Sequence, residues 1–275
     1  MQRADLERFV AEDVGEWDDS STIAKDEEGS AHIIAKEKCV IAGLQEAAQV
    51  LQHFHLEHEM LLADGDHATA GCIVLTIKGS ARGILQAERL VLNFLGRMSG
   101  IATLTNECVR RARAVSGVKI ACTRKTTPGF RLQEKRAVFL GGGDPHRFNL
   151  SDAVLIKDNH IRLLGLEECL LRAIGQASFT KKIEVEVEHL DDMARAAELG
   201  ADIIMFDNMS PEEIGRGVEI LKEIGLRDRV ILEASGGITL ENLEAYAAAG
   251  VDVISMGALT RDAPWIDLSM EMEKG

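Results

Sequence analysis

A chain of 275 residues, 46% hydrophobic and 28% charged, can bury a sizeable core and suits one large domain or two modest ones. A formal net charge of -14 argues against nonspecific nucleic-acid binding, which needs a broad basic face. No apolar run is long enough to span a bilayer, and the start MQRADLERFVAED lacks the apolar stretch of a secretion signal. The five cysteines (Cys39, Cys72, Cys108, Cys122 and Cys169) are scattered and form no C-x-x-C pair. A cytoplasmic protein with reduced thiols is therefore expected, with no disulfide frame and no membrane or nucleic-acid partner.

Taken in chain order, residues 3–14 read as a short acidic helix, followed by strands near 31–36, 57–63 and 71–78 and a helix near 44–54. DGDH (64–67) reads as a turn between the last two strands. His53, His55 and His58, with Glu57 and Glu59, mimic a metal cluster but lack a zincin spacing and are read as polar surface. A long helix runs from about Arg82 to Met98. This first part resembles a small α/β sandwich.

The second half alternates. Apolar strand-like runs recur at 118–123, 153–157, 182–188, 202–207, 230–235 and 251–256. Helix-period stretches such as DDMARAAELG and PEEIGRGVEILKEIG separate most of them. Such alternation predicts parallel strands joined by right-handed crossovers. Six units with no dinucleotide glycine fingerprint point to an open α/β (TIM-like) barrel, whose chemistry belongs at the C-terminal strand ends. The expected division is 1–104 for the sandwich domain, with about 265–275 returning to it, and 105–264 for the barrel.

Three groups of residues carry candidate chemistry. ASGGIT (234–239) and SMGALT (255–260) end the last two barrel strands, where a phosphate commonly sits. Glycines there let backbone N–H groups approach the oxygens, aided by a following helix N-terminus. Glu184, Glu186 and Glu188 alternate along one strand and share a side; Asp207 ends the next strand. Carboxylates on adjacent strand ends can hold Mg2+. The basic residues form an island between Arg110 and Lys157 in an otherwise acidic chain. Arg110, Arg111 and Arg113 fit a solvated helix face, whereas Arg124, Lys125 and Lys157 sit at the ends of apolar strands. With His146 and Arg147 they suit a substrate bearing two carboxylates and several phosphates. Gly141-Gly142-Gly143 resembles a phosphate loop without a Walker ending.

In family order, ERLVLNFLGRMSGIAT (88–103), TRKTTPGFR (123–131), GGGDPHR (141–147), LIKDNHI (155–161), EVEVE (184–188), FDNMS (206–210), EASGGI (233–238) and VDVISMGALT (251–260) resemble the quinolinate phosphoribosyltransferase family. The resemblance covers most of the chain from about residue 88, and VIAGL (40–44) and the ED-x-G at Glu12 extend it forward. It implies an N-terminal sandwich, an open barrel and a homodimer, or a higher assembly of dimers, with sites completed across the interface. It implies that the enzyme joins quinolinate to phosphoribosyl pyrophosphate (PRPP), with decarboxylation. By the family pattern Arg89 is lent to the partner's site, where it meets quinolinate. Arg124, His146 and Arg147 surround the same dicarboxylate, and Lys125 and Lys157 lie between quinolinate and pyrophosphate. Glu186 and Asp207 face the ribose and its Mg2+, while Ser235, Gly236, Gly237 and Gly257 cradle the 5-phosphate. The sequence departs from the pattern at Trp17-Asp18-Asp19-Ser20, at Leu90 and at Phe206. Read from the residues alone, a Schiff-base aldolase using Lys157 and a non-catalytic ligand sensor stay open beside this reading, as does a nicotinate-using relative.

Overall fold

Apolar residues in the first hundred positions alternate as a half-buried sheet requires, and the first sheet follows from that pattern. The structure, a computed structural model, describes residues 1–16, 18–24 and 27–273. The Trp17 departure lies outside the described residues. In chain order the helices and strands are α1 (Arg3–Val14), β1 (Glu28–Ala35), β2 (Cys39–Val40), α2 (Leu44–His53), β3 (Glu57–Met60), β4 (His67–Ala68), β5 (Ile73–Ser80) and α3 (Ala81–Val115). There follow β6 (Lys119–Ala121), α4 (Arg131–Leu140), β7 (Val154–Ile156), α5 (Asp158–Leu164), α6 (Leu166–Gln176), β8 (Ile183–Val187), α7 (Leu190–Leu199) and β9 (Ile203–Asp207). The last are α8 (Pro211–Glu223), β10 (Ile231–Ser235), α9 (Leu243–Ala247), β11 (Val253–Ser255), α10 (Ala258–Arg261) and β12 (Leu268–Met272).

The chain divides into two compact units. One comprises Met1–Asn106, Leu132–Gly142 and the segment from Ala263 onward; the other comprises Glu107–Arg131 and Gly143–Asp262.

In the first unit β12, β1, β5 and β3 form an antiparallel sheet in that order. Ala31, Ile33 and Ala35 are buried along β1, while His32 and Ile34 between them are partly exposed. Helix α2 starts at Gly43, whose φ of 104° leaves no conventional N-cap side chain. Asp64, from the DGDH turn, supplies the cap instead: its Oδ1 accepts the N–H groups of Gly43 (2.8 Å) and Leu44 (2.9 Å).

Two features of this unit differ from the sequence expectation. Helix α3 runs to Val115 rather than stopping near Met98. Gly96 and Gly100 do not end the helix, because both serve close packing. A Cβ on Gly100 would collide with the Pro264 carbonyl, and one on Gly96 would lie 3.1 Å from the Ile266 carbonyl oxygen. The second difference concerns Leu132–Gly142, placed by the expected 105–264 boundary in the barrel but clustered with the first unit. Ion pairs hold it there. Buried Glu134 pairs with Arg97 at 2.8 Å, and Arg136 reaches Glu46 and Asp64, both at 2.6 Å. Gly141 is part of the same packing, since a Cβ there would lie 2.7 Å from Thr105 Cβ. The glycine run is thus a packing device at its first residue, and Gly142 adds a turn at φ 88°.

In the second unit six parallel strands follow the order β6-β11-β10-β9-β8-β7. All six sequence-predicted strands are present, and α7, α8 and α9 connect successive strands from β8 onward. Among the described residues β6 and β7 form no ladder with each other, so the barrel is open; Asp144 bridges to Ala121 on the outer side of β6. Val185, Ile204 and Leu232, lateral partners on β8, β9 and β10, are fully buried. The opposite parity, carrying Glu186, Met205 and Glu233 in one lateral row, faces the barrel interior. A complete capping box starts α8: Ser210 Oγ accepts the Glu213 N–H, and the Glu213 carboxylate accepts the Ser210 N–H. It turns the chain sharply after Asp207 and leaves that carboxylate at the strand end.

Candidate active site

Parallel strands deliver their last residues to one edge, and here that edge holds a cavity of about 440 Å3. Its wall contains Arg124 and Lys125 after β6, His146 and Arg147 after the Asp144 bridge, and Lys157 after β7. Glu186 comes from β8, Asp207 and Asn208 from β9, and Ser235, Gly236 and Gly237 from β10. Ten of the sequence-predicted residues therefore meet in one hollow. Gly257 lines an adjoining cavity of about 70 Å3, together with Lys125, Ser235, Gly236, Gly237 and Arg261. Arg89 is not among the lining residues: it is exposed on α3, and its charge is felt by Asp13.

The cations are held in different ways. Lys157 Nζ pairs with Glu186 Oε2 at 2.7 Å. Lys125 is tied through its backbone. Its N–H bonds Thr123 Oγ1, and its carbonyl accepts the Thr260 hydroxyl at 2.7 Å, linking the loops after β6 and β11. The Nε of Arg124 is buried without a hydrogen-bond partner, an orphaned donor in the cavity wall. Burial pushes Arg147 below its ordinary value, opposed by the carboxylate of Glu184. Burial and the nearby Glu186 raise Asp207 above the usual carboxylate range, opposed by Asn208, Lys157 and Lys125. Two oxygen donors that repel each other at the cavity edge suit a hard divalent cation, which would take its remaining ligands from substrate and water.

After β10, Gly236 adopts φ 91° and a Cβ there would lie 2.7 Å from the Asn208 backbone nitrogen. Gly237 follows at φ 62° in open space. Successive left-handed residues form a concave nest of N–H groups, which favours an anion. The expected helix contribution is smaller than the sequence suggested, because α9 begins only at Leu243 and α10 has four residues.

Sequence reasoning gave Glu233 no role, and placed Glu184 only within the acidic set of its strand. Glu184 and Glu233 are 1% and 2% exposed and approach His146, whose Nε2 lies 4.0 Å and 3.3 Å from them. Burial, then Glu233, pushes Glu184 up to about 7. These three are the only group of three or more potential metal ligands found among the described residues; the His53, His55 and His58 set does not form one. The signal was present in the strand run VILEAS, where Glu233 is a lone acid two positions before Ser235 and so shares its interior face. Glu188 parts from its two companions: it lies past the end of β8, about half exposed, near Arg162. Exposed Arg110 pairs with Glu107 as expected of a solvated helix face, while Arg111, half-buried, pairs with Glu107 and also donates to the Leu240 carbonyl.

An open parallel barrel, a glycine nest for phosphate and a pocket with cations at one end and paired carboxylates beside it define the class. This is an enzyme fold for a phosphorylated sugar and an anionic co-substrate. The family models for the quinolinate phosphoribosyl transferase N-terminal domain and C-terminal domain match residues 18–99 and 101–271. The chain is 49% identical over 272 residues to a protein of Methanothermobacter thermautotrophicus, covering 97% of each, named probable nicotinate-nucleotide pyrophosphorylase (carboxylating). The human nicotinate-nucleotide pyrophosphorylase (carboxylating) is 40% identical over 244 residues, covering 88% of this chain and 82% of the human one. The solved structure of the Francisella tularensis nicotinate-nucleotide pyrophosphorylase superposes with a TM-score of 0.91 at 38% identity, covering 98% of this chain and 94% of that one. The chain belongs to the quinolinate phosphoribosyltransferase family.

Proposed function

We propose that this chain transfers the phosphoribosyl group of PRPP to quinolinate with decarboxylation, giving nicotinate mononucleotide, CO2 and pyrophosphate for NAD biosynthesis in the cytoplasm. One observation carries the reading: Arg124, Lys125, Arg147 and Lys157 share a single cavity with Glu186, Asp207 and the Ser235–Gly237 nest. That inventory matches a dianionic ring at one end and a polyphosphorylated ribose at the other.

The chemistry follows from charge development. The quinolinate nitrogen attacks the anomeric carbon of ribose as the bond to pyrophosphate breaks. Positive charge grows on the sugar, and Glu186 and Asp207 stabilise it. Lys125 and Lys157 neutralise the departing pyrophosphate, for which Lys157 must leave Glu186. Arg124 and Arg147 hold the two carboxylates by bidentate pairing and aim the ring nitrogen at the sugar. The alkylated nitrogen is cationic, so it accommodates the electron pair left on the adjacent carbon when CO2 departs; a proton then takes the vacated position. Glu186 and Asp207 would hold Mg2+, which would add charge neutralisation to the PRPP pyrophosphate. A homodimer, or an assembly built from dimers, would bring Arg89 of one subunit to the quinolinate end of its partner's site.

The test is a coupled measurement of nicotinate mononucleotide and CO2 from quinolinate, PRPP and Mg2+, repeated with nicotinate in place of quinolinate and with EDTA. Equimolar products from quinolinate, abolished by EDTA and restored by Mg2+, support the reading. PRPP consumption with nicotinate and no CO2 release from quinolinate would overturn it.

A further inference from the structure

The floor of the cavity raises a question that the proposed chemistry leaves open: what two buried acids do beneath a site built to bind anions. Their neighbour is His146. Its backbone has φ 52°, a left-handed conformation unusual for a non-glycine residue. Its N–H donates to Asp144 Oδ1 at 2.7 Å, two residues after Asp144 has bridged to β6. Cys122 Sγ, at the end of that strand, donates to the Pro145 carbonyl at 3.2 Å. The turn 144–147 is therefore anchored to β6 on one side.

The ring provides the anchor on the other side. His146 Nδ1 accepts the backbone N–H of Arg147 at 2.7 Å. A backbone N–H only donates, so Nδ1 carries a bare lone pair and the ring hydrogen is on Nε2. Nε2 lies 3.3 Å from Glu233 Oε2, on β10. Protonating Nδ1 would set two N–H groups against each other. The ring is thus neutral in this arrangement, held between the backbone of Arg147 and a carboxylate on a strand across the barrel.

Resting on the proposed function, we infer that Glu233 is a positioning residue for quinolinate: it fixes His146 with its hydrogen on Nε2, and His146 in turn fixes the turn that carries Arg147. His146 then acts at the dicarboxylate end as an oriented scaffold rather than as a further cation. Arg124 and Arg147 supply the charge. Glu233 lines the same cavity two positions before Ser235, but its carboxylate meets His146 rather than Ser235–Gly237, Glu186 or Asp207, which serve the ribose end.

Glu233→Ala, Glu233→Gln and His146→Asn test this in the full chain. Glu233→Ala should raise the quinolinate KM about tenfold or more while the PRPP KM stays within about twofold, because the loss is one of orientation at one end. Glu233→Gln keeps an acceptor for Nε2–H and should restore the quinolinate KM. A second readout needs no substrate: two-bond 1H–15N spectra of 15N-histidine protein, with His146 assigned from the His146→Asn spectrum. The wild type and Glu233→Gln should show the neutral Nε2-protonated pattern, and Glu233→Ala should lose it. A His146 ring protonated on Nδ1 in the wild type overturns the inference. So does a Glu233→Ala protein in which both KM values rise alike, or in which the His146 pattern persists. If the wild type has no quinolinate activity, the proposed function fails, while the spectra still decide how Glu233 and His146 are linked.

Discussion

Lys157 and Glu186 bridge the ends of the neighbouring strands β7 and β8 through a 2.7 Å ion pair, with the lysine half-exposed and the carboxylate nearly buried. On the proposed function, the pair stores a cation at the edge of the cavity for release toward an arriving pyrophosphate. Removing the lysine should therefore damage chemistry far more than folding. Lys157→Ala is expected to lower kcat by at least about a hundredfold, the scale of losing one preorganised charge. Its thermal midpoint should stay within a few degrees of wild type, because a half-exposed pair contributes little to stability. Steady-state kinetics and a melting curve on the same preparation check both halves; near-normal turnover would remove Lys157 from its role.

Glu184 makes a prediction about pH. Burial and Glu233 push its carboxyl from 4.5 up to about 7, so the folded protein binds this proton more tightly than the unfolded chain does. The sign follows: the favourable contribution is complete below about pH 4.5 and is lost as pH rises through about 7. Glu184→Gln cannot ionise and should flatten that decline. Urea unfolding free energies of both proteins at pH 5.5 and pH 8, in EDTA, should differ in their pH dependence by about 2 kcal/mol. Parallel declines in the two proteins would show that Glu184 is not the titrating group.

Much of this was legible in the sequence because short-range pattern determines it. Barrel strands read as apolar or alternating runs with polar residues recurring near their ends, and the shared side of Glu184 and Glu186 and the strand-end position of Asp207 pointed to the chemistry. What was not legible depends on contacts distant in the chain. Helix α3 continues through Gly96 and Gly100 because residues 264–266 pack against it, and nothing local announces that partner. Residues 132–142 leave the barrel unit because Glu134 and Arg136 find Arg97, Glu46 and Asp64, at separations of 37 to 90 residues. Local reading saw in the glycine run at 141 a likeness to a phosphate loop without a Walker ending, and could not see that Gly141 answers to Ala102 and Thr105. The floor acids were visible as letters, but their role came only with the 3.3 Å approach of His146 to Glu233.

Gly236 carries both reasons for being glycine. Its φ is 91°, and a Cβ there would press on the Asn208 backbone. Gly236→Ala should destabilise the protein by about 1–3 kcal/mol through strain and, on the proposal that Gly236 and Gly237 cradle the 5-phosphate, should raise the PRPP KM more than the quinolinate KM. Gly215 on α8 provides the control: a Cβ there meets nothing within 4 Å, so Gly215→Ala should stabilise by up to about 1 kcal/mol. Denaturant melts rank the two. An unchanged PRPP KM in a folded Gly236→Ala protein would move the phosphate elsewhere.

Arg89 gives the sharpest test of assembly. It is exposed on α3 while the other predicted quinolinate ligands line the cavity. If it serves a partner's site, a subunit can be defective as donor of Arg89 or as owner of the cavity, and the two defects are separable. Arg89→Ala and Lys157→Ala should each be nearly inactive as homodimers. Mixed and allowed to exchange subunits, half the sites in each heterodimer combine an intact cavity with an intact Arg89. Random pairing should then recover about a quarter of wild-type activity. Exchange is followed independently by native mass spectrometry. Heterodimers that form without recovering activity would confine Arg89 to its own subunit and refute the shared site.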